Sequence, residues 1–74
     1  MEYVIVKFHS RRKVLVDGAA QGYNTDTSGN PNVIQLAEGT YAFSLSGEKD
    51  FSPDEQEVRV ANTNQFEPLE VVFL

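Results

Sequence analysis

Alternation of apolar and polar residues, broken at short intervals by turn residues, is the feature that most constrains the fold of this chain. It is clearest at 40–46, where Tyr41, Phe43 and Leu45 alternate with smaller or polar residues. A period of two places successive side chains on opposite faces of a β-strand. No window of about ten residues repeats its apolar positions at helical spacing. The sequence therefore predicts an all-β fold without helices.

Turn signals divide the chain into short segments. We predict strands at 3–8, 14–16, 33–36, 40–46, 58–60 and 69–74, and a brief edge strand near 21–25. Asp17-Gly18 favours a tight hairpin turn, and polar residues 9–12 are interpreted as a hairpin turn after the first strand. Residues 37–39 predict a second tight turn, and the last strand is expected to pair near the first. About six or seven short strands without crossover helices indicate a small antiparallel β-sandwich.

The predicted core consists of the apolar residues that alternate along these strands. Its members are Val4, Val6, Phe8, Val14, Val16, Ile34, Leu36, Tyr41, Phe43, Leu45, Val58, Val60, Leu69, Val71 and Phe73. Tyr3, Tyr23, Phe51 and Phe66 lie outside this pattern. We expect Phe51 and Phe66 to plug the ends of the sandwich, and Tyr23, between Gly22 and Asn24, to be exposed.

Length and charge limit the possible functions. A chain of 74 residues has room for one domain, residues 1–74, and buries only about 60% of its unfolded surface. Eleven acidic residues against six Lys and Arg give a net charge of −5, which opposes binding to nucleic acid. The apolar runs are far shorter than the roughly 20 residues of a membrane span, so no membrane insertion is expected.

The sequence is compatible with more than one cellular compartment. A native start at Met1 would indicate a cytoplasmic protein, whereas excision from a larger protein would allow the cell surface or the periplasm. The chain has no cysteine, so it forms no disulfide and has no thiol chemistry, and this absence fits reducing and oxidising compartments equally.

The residue pattern contains no catalytic constellation. His9 has no neighbouring nucleophile, and Asp17 stands alone before Gly18, as a turn residue does. The densest acidic stretch is expected to be solvated rather than to bind a cation; it comprises Glu48, Asp50, Asp54, Glu55 and Glu57. We therefore expect no enzyme activity, no metal and no cofactor.

A candidate binding surface is formed by a cationic run and a loop aromatic. Arg11, Arg12 and Lys13 make the only cationic cluster of an acidic chain, and Tyr23 with Asn24 is the best candidate for an exposed aromatic segment. The expected partner is another protein or a carbohydrate. The alternative is a homodimer that forms through an exposed edge strand or through the outward side chains Leu15, Val72 and Leu74.

The order of these features resembles the PEGA domain over nearly the whole chain. The resemblance is carried by Val14-Leu15-Val16-Asp17-Gly18, Gly22 with Thr25, Ile34-Gln35-Leu36, Glu38-Gly39-Thr40-Tyr41, Phe51-Ser52-Pro53 and the terminal strand. The chain departs from the family at Ser10-Arg11-Arg12-Lys13, where a Pro-acid-Gly-Ala turn is expected, and at Asp26, where proline is usual. PEGA domains are small β-sandwiches of bacterial and archaeal proteins, so the resemblance implies a non-catalytic accessory or binding module.

Overall fold

The computed structural model describes all 74 residues and contains seven strands and no helix. The strands are β1 (Glu2–Lys7), β2 (Lys13–Val16), β3 (Ala19–Tyr23), β4 (Ile34–Leu36), β5 (Gly39–Leu45), β6 (Gln56–Val60) and β7 (Leu69–Val72). They form a three-stranded sheet of order β4-β1-β7 and a four-stranded sheet of order β3-β2-β5-β6. The predicted small all-β sandwich is confirmed. No helix is available that could cross a membrane.

A single hydrophobic core lies between the two sheets. Its buried residues are Val4, Val6, Val14, Val16, Ile34, Leu36, Phe43, Leu45, Phe51, Val60, Val71 and Phe73. Phe8, Tyr41, Val58 and Leu69 are partly buried against it. Every predicted core residue belongs to one of these two groups, because the period of two assigns each strand one inward face. Phe43, on the long strand β5, is completely buried.

The Asp17-Gly18 turn is a two-residue hairpin, as the sequence predicts. Both residues have positive φ, 51° at Asp17 and 83° at Gly18, which is the backbone of a type I′ turn. The Asp17 carboxylate accepts the N–H of Ala42 at 2.9 Å, and the Asp17 N–H donates to the carbonyl of Ala42 at 2.8 Å. Asp17 is thus a turn residue that also attaches the β2–β3 hairpin to β5.

Two other predicted connections are wrong. Residues 9–12 do not close a hairpin, because β1 lies in the three-stranded sheet and β2 in the four-stranded sheet. Residues 37–39 also cross between sheets, from β4 to β5. The apolar faces of β1 and β2 meet across the core instead of lying side by side, and alternation within each strand cannot distinguish these two arrangements.

The first and last strands pair in parallel, whereas every other pair is antiparallel. The register runs from Val4 opposite Leu69 to Lys7 opposite Val72. Proximity of these strands agrees with the prediction, but their direction departs from a purely antiparallel sandwich. A parallel pair needs a long connection, and here the other five strands supply it.

Three hydrophobic residues outside the alternating pattern have different environments. Phe51 is buried and makes edge-to-face contact with Phe73, with ring centroids 5.5 Å apart, so its predicted plug role is confirmed. Phe66 is 86% exposed, so its predicted plug role is wrong. The Asn64 side chain accepts the N–H groups of Phe66 and Glu67, closing a local turn that does not bring the ring into the core. Ile5 is buried although it was not predicted, because it lies on the central strand β1.

Replacement of Phe43 by Ala should destabilise or unfold the protein. Loss of a fully buried Phe costs about 3–5 kcal/mol, a large part of the stability of a small domain. Phe66→Ala removes the same atoms from an exposed position and should change the free energy of unfolding by less than about 0.5 kcal/mol. Urea denaturation of both variants measures the difference. Equal effects would contradict the position of the core.

Candidate functional site

The predicted surface residue Asn24 is completely buried. Its side-chain oxygen accepts the N–H of Arg12 at 2.8 Å, and its side-chain nitrogen donates to the Ser10 carbonyl at 3.0 Å. Its backbone N–H donates to the Arg12 carbonyl, and its carbonyl accepts the N–H of Asn32, both at 2.9 Å. Asn24 therefore belongs to the interior, where a polar side chain is stable because its hydrogen bonds are made.

The hydrogen bonds of Asn24 fix the position of its neighbours. Arg11 lies between the two residues that Asn24 binds, Ser10 and Arg12, and Tyr23 directly precedes Asn24 along the chain. Lys13 stands opposite Tyr23 in the register of β2 and β3. Three side chains from two separate segments are thereby held at one end of the β3 edge.

Arg11, Lys13 and Tyr23 form a cation–aromatic cluster, here called the Tyr23 surface. The guanidinium carbon of Arg11 lies 3.6 Å from the centroid of the Tyr23 ring, and the Lys13 ammonium nitrogen lies 5.8 Å from it. The Arg11 Nε–H also donates to the Thr25 carbonyl at 3.1 Å, which holds the guanidinium over the ring. All three residues are exposed, and Tyr23 is 37% exposed, as predicted.

The distribution of ion pairs leaves the Tyr23 surface positively charged. Lys7 pairs with Glu70, Arg12 with Asp50, and Arg59 with Glu38. Arg11, Lys13 and Lys49 make no such pair. Two of the three cations without a carboxylate partner therefore flank one tyrosine ring, in a chain whose net charge is −5.

Arg12 has a different role from the cations on either side of it. Its guanidinium donates two hydrogen bonds to the Asp50 carboxylate, at 2.7 and 2.9 Å, and others to the carbonyls of Ser46 and Glu48. Its side chain is only 19% exposed. Arg12 thus attaches the segment before β2 to the loop after β5. The predicted cationic run of three residues is reduced to two available charges.

The loop after Tyr23 is ordered around Asp26. The N–H groups of Asn30 and Ser28 donate to its carboxylate at 2.9 and 2.8 Å. These hydrogen bonds favour the charged form and hold the pKa of Asp26 below its ordinary value of 3.8. Asn32, which follows this loop, donates from its side chain to the Tyr23 carbonyl at 3.1 Å. The loop is therefore tied to the backbone of the Tyr23 surface.

The Tyr23 surface combines positive charge with an aromatic ring. Arg11 and Lys13 offer charged donors, Tyr23 offers an aromatic ring and a hydroxyl, and the surface of the domain has no pocket. No group of three or more His, Asp or Glu side chains is arranged to hold a metal ion. A ligand at the Tyr23 surface would contact an open face rather than enter a cleft.

No family model, curated protein or solved structure matches the chain. The resemblance to the PEGA domain accordingly stays a prediction.

Asn24→Ala should lower the free energy of unfolding by about 2 kcal/mol or more, because the Arg12 N–H and the Ser10 carbonyl lose their partner. Asn24→Asp retains an acceptor for Arg12, but it loses the donor to Ser10 and buries a carboxylate against that carbonyl, so it should also destabilise the fold. Gln21→Ala, at an exposed position, is the control and should change the free energy by less than about 0.5 kcal/mol. Urea denaturation gives all three values. An Asn24→Ala variant as stable as the control would refute the role of the buried amide.

The Asp26 loop should respond to acid. Because the folded-state pKa of Asp26 is lowered, its stabilising effect is present above the pKa of the unfolded chain and is lost as the pH falls through the folded pKa. The amide signals of Ser28 and Asn30 should therefore shift together as the pH falls below 3.8. Asp26→Asn should abolish this shared titration in an NMR pH series. Titration of Asp26 above 3.8 would contradict the hydrogen-bonded loop.

Proposed function

We propose that this domain is a non-catalytic interaction module that binds an anionic surface of a partner protein through Arg11, Lys13 and Tyr23. The observation that carries the proposal is the placement of two unpaired cations on one exposed aromatic ring. Tyr and Arg are enriched among the residues that dominate binding energy at protein interfaces. The resemblance to the PEGA domain, an accessory module, supports the same reading.

Preorganisation supports binding at this surface. Arg11 is held by the Tyr23 ring and by the Thr25 carbonyl before any partner arrives. An ordered guanidinium loses less side-chain entropy on binding than a free one, so more of the interaction energy appears as affinity. The open geometry also suits a protein partner, since the domain has no pocket for a small molecule.

A protein partner is favoured over a carbohydrate by the position of Arg11. Sugar rings bind aromatic side chains by stacking on a free face, and the guanidinium of Arg11 already covers one face of Tyr23 at 3.6 Å. The two positive charges beside the ring instead favour carboxylates. Carbohydrate recognition is therefore the less favoured alternative.

Self-association is a second candidate function, and exposed apolar side chains near the end of β7 favour it. Val72 is 46% exposed and Leu74 is 81% exposed, whereas Leu15 is partly buried. Sedimentation that shows a monomer at high concentration would exclude this candidate.

The proposed function is tested by affinity capture from a lysate of the source cell with three baits. The Arg11→Gln/Lys13→Gln bait should lose the specific partner that the unchanged domain retains. The matched control is Lys7→Gln/Lys49→Gln, which removes two positive charges elsewhere and should retain the partner. A partner kept by both variants would place the binding site outside the Tyr23 surface.

A glycan array with the same proteins and with Tyr23→Ala tests the carbohydrate alternative. We expect no specific binding. Binding to neutral glycans that survives Arg11→Gln/Lys13→Gln but is lost in Tyr23→Ala would contradict the protein-binding proposal.

A further inference from the structure

The edge strand β3 is the least protected edge of the sandwich. Edge strands expose unpaired backbone groups, and natural proteins commonly protect them with charges, short length or covering segments. All five residues of β3 are exposed, and none is charged. An exposed and uncharged edge is a template for an additional strand.

The other three edges have such protection. β4 has only three residues, and β6 carries the exposed charges Glu57 and Arg59. The end of β7 is covered, because the Gln56 side chain donates to the Val72 carbonyl at 2.6 Å and Leu74 exchanges backbone hydrogen bonds with Ser52. Only β3 combines full exposure with an absence of charge.

The hairpin geometry identifies the free backbone groups of β3. In a two-residue hairpin, Val16 and Ala19 form the hydrogen-bonded pair that closes the turn. Hydrogen-bonded and non-hydrogen-bonded pairs alternate, so the next pair, Leu15 and Ala20, is not hydrogen-bonded. The N–H and carbonyl of Ala20 therefore point away from β2, toward solvent.

The same edge ends at the Tyr23 surface. The Asn24 N–H donates toward β2, so the Tyr23 carbonyl of the same peptide unit points to the opposite side, where Asn32 binds it. The register of β3 against β2 shifts between Ala20 and Tyr23, where Gly22 has a φ of 99°. An added strand would thus find the free N–H and carbonyl of Ala20 and would end beside Tyr23. Arg11 and Lys13 stand at that end without carboxylate partners.

We propose that β3 binds an extended acidic segment of a partner protein as an additional strand, whose carboxylates contact Arg11 and Lys13. This inference rests on the proposed function and specifies the mode and the chemistry of binding. Backbone hydrogen bonds to the edge supply affinity, and the two cations select acidic residues at one end. The small side chains Ala19 and Ala20 leave room for those of the added strand.

Charge favours a foreign acidic segment over a second copy of this chain. Two copies, each with a net charge of −5, repel one another as they approach. An isolated acidic segment meets the local positive charge of the Tyr23 surface at the end of the edge. Association of two copies through β3 is accordingly an outcome that the experiment must detect.

The experiment titrates the nitrogen-labelled domain with a synthetic peptide of alternating Val and Glu, roughly eight residues long, the length of an ordinary strand. We expect shifts at the amides of Ala20 and Tyr23, and affinity that falls with salt. Ala20→Pro removes the free N–H and should weaken binding about tenfold, whereas Ala20→Thr retains it and should bind as the unchanged domain does. Spectra and thermal unfolding of the free variants establish that they fold.

Two further peptides keep the test independent of the variants. A peptide with Gln in place of Glu should bind about tenfold more weakly and without salt dependence, because it lacks the carboxylates. An acidic peptide N-methylated at alternate residues, so that it presents no N–H to the edge, should also lose binding to the unchanged domain.

The outcomes separate strand addition from the proposed function. Strand addition would be overturned if the unchanged domain bound the methylated peptide as tightly as the unmethylated one and if Ala20→Pro bound the acidic peptide as tightly as the unchanged domain does. The proposed function would still stand if Arg11→Gln/Lys13→Gln then bound the acidic peptide more weakly. If Arg11→Gln/Lys13→Gln bound the acidic peptide as tightly as the unchanged domain does, the role of the Tyr23 surface would be overturned both in strand addition and in the proposed function. Amide shifts of Ala19–Tyr23 that depend on protein concentration without peptide would show that a second copy occupies the edge, which overturns the inference.

Discussion

A buried amide is the constraint on which this end of the sandwich depends. Asn24 is the only polar residue among the fourteen that are buried, and each of its backbone and side-chain polar groups is hydrogen-bonded. A carboxamide in the interior is costly when unpaired, so it tolerates only backbone positions that supply its partners. The segments at Ser10–Arg12 and at Asn32 must therefore meet at Asn24. Because buried Asn24 joins the segment of Arg11 to the segment of Tyr23, these two exposed side chains meet at the surface.

The local charge of the Tyr23 surface follows from how the structure uses its few cations. Arg11, Arg12 and Lys13 are consecutive in sequence, yet only Arg12 turns to a carboxylate, that of Asp50. Its guanidinium also binds two backbone carbonyls of the loop after β5, a planar set of donors that lysine could not reproduce. The same local arrangement that removes Arg12 from the surface leaves its two neighbours beside Tyr23. A chain with an excess of negative charge thus presents a small positive face.

The parts of the structure that could be predicted from the sequence are those that depend on local pattern. Alternation placed Phe43 and its neighbours in the core, and Asp17-Gly18 specified a type I′ hairpin, because side-chain period and turn backbone are properties of adjacent residues. Tyr23 was correctly placed at the surface because it lies outside the alternating pattern, between Gly22 and Asn24. The prediction for Phe66 failed because an apolar side chain in a loop carries no periodicity that indicates its direction.

The parts that could not be predicted depend on residues far apart in the chain. Arg12 and Asp50 are separated by 38 positions, and nothing near either residue indicates the other. The burial of Asn24 was missed for a related reason, since an Asn between Tyr23 and a polar loop has the composition of an exposed turn. Which sheet each strand joins is equally non-local, so two of the four connections between sheets were taken for hairpins. The candidate site could thus be located from sequence, but its division into interior and surface residues could not.

The parallel pairing of β1 and β7 has a mechanical consequence. Because the two strands run in the same direction, the start of β1 and the end of β7 lie at opposite ends of their shared ladder. A force that pulled Glu2 and Val72 apart would act along the strands and load the ladder hydrogen bonds together, in shear, instead of opening them one at a time. The backbone pair between Ser52 and Leu74 prolongs this resistance past the end of β7. The pair formed by the first and last strands, β1 and β7, would therefore be the most resistant element of the sandwich under tension.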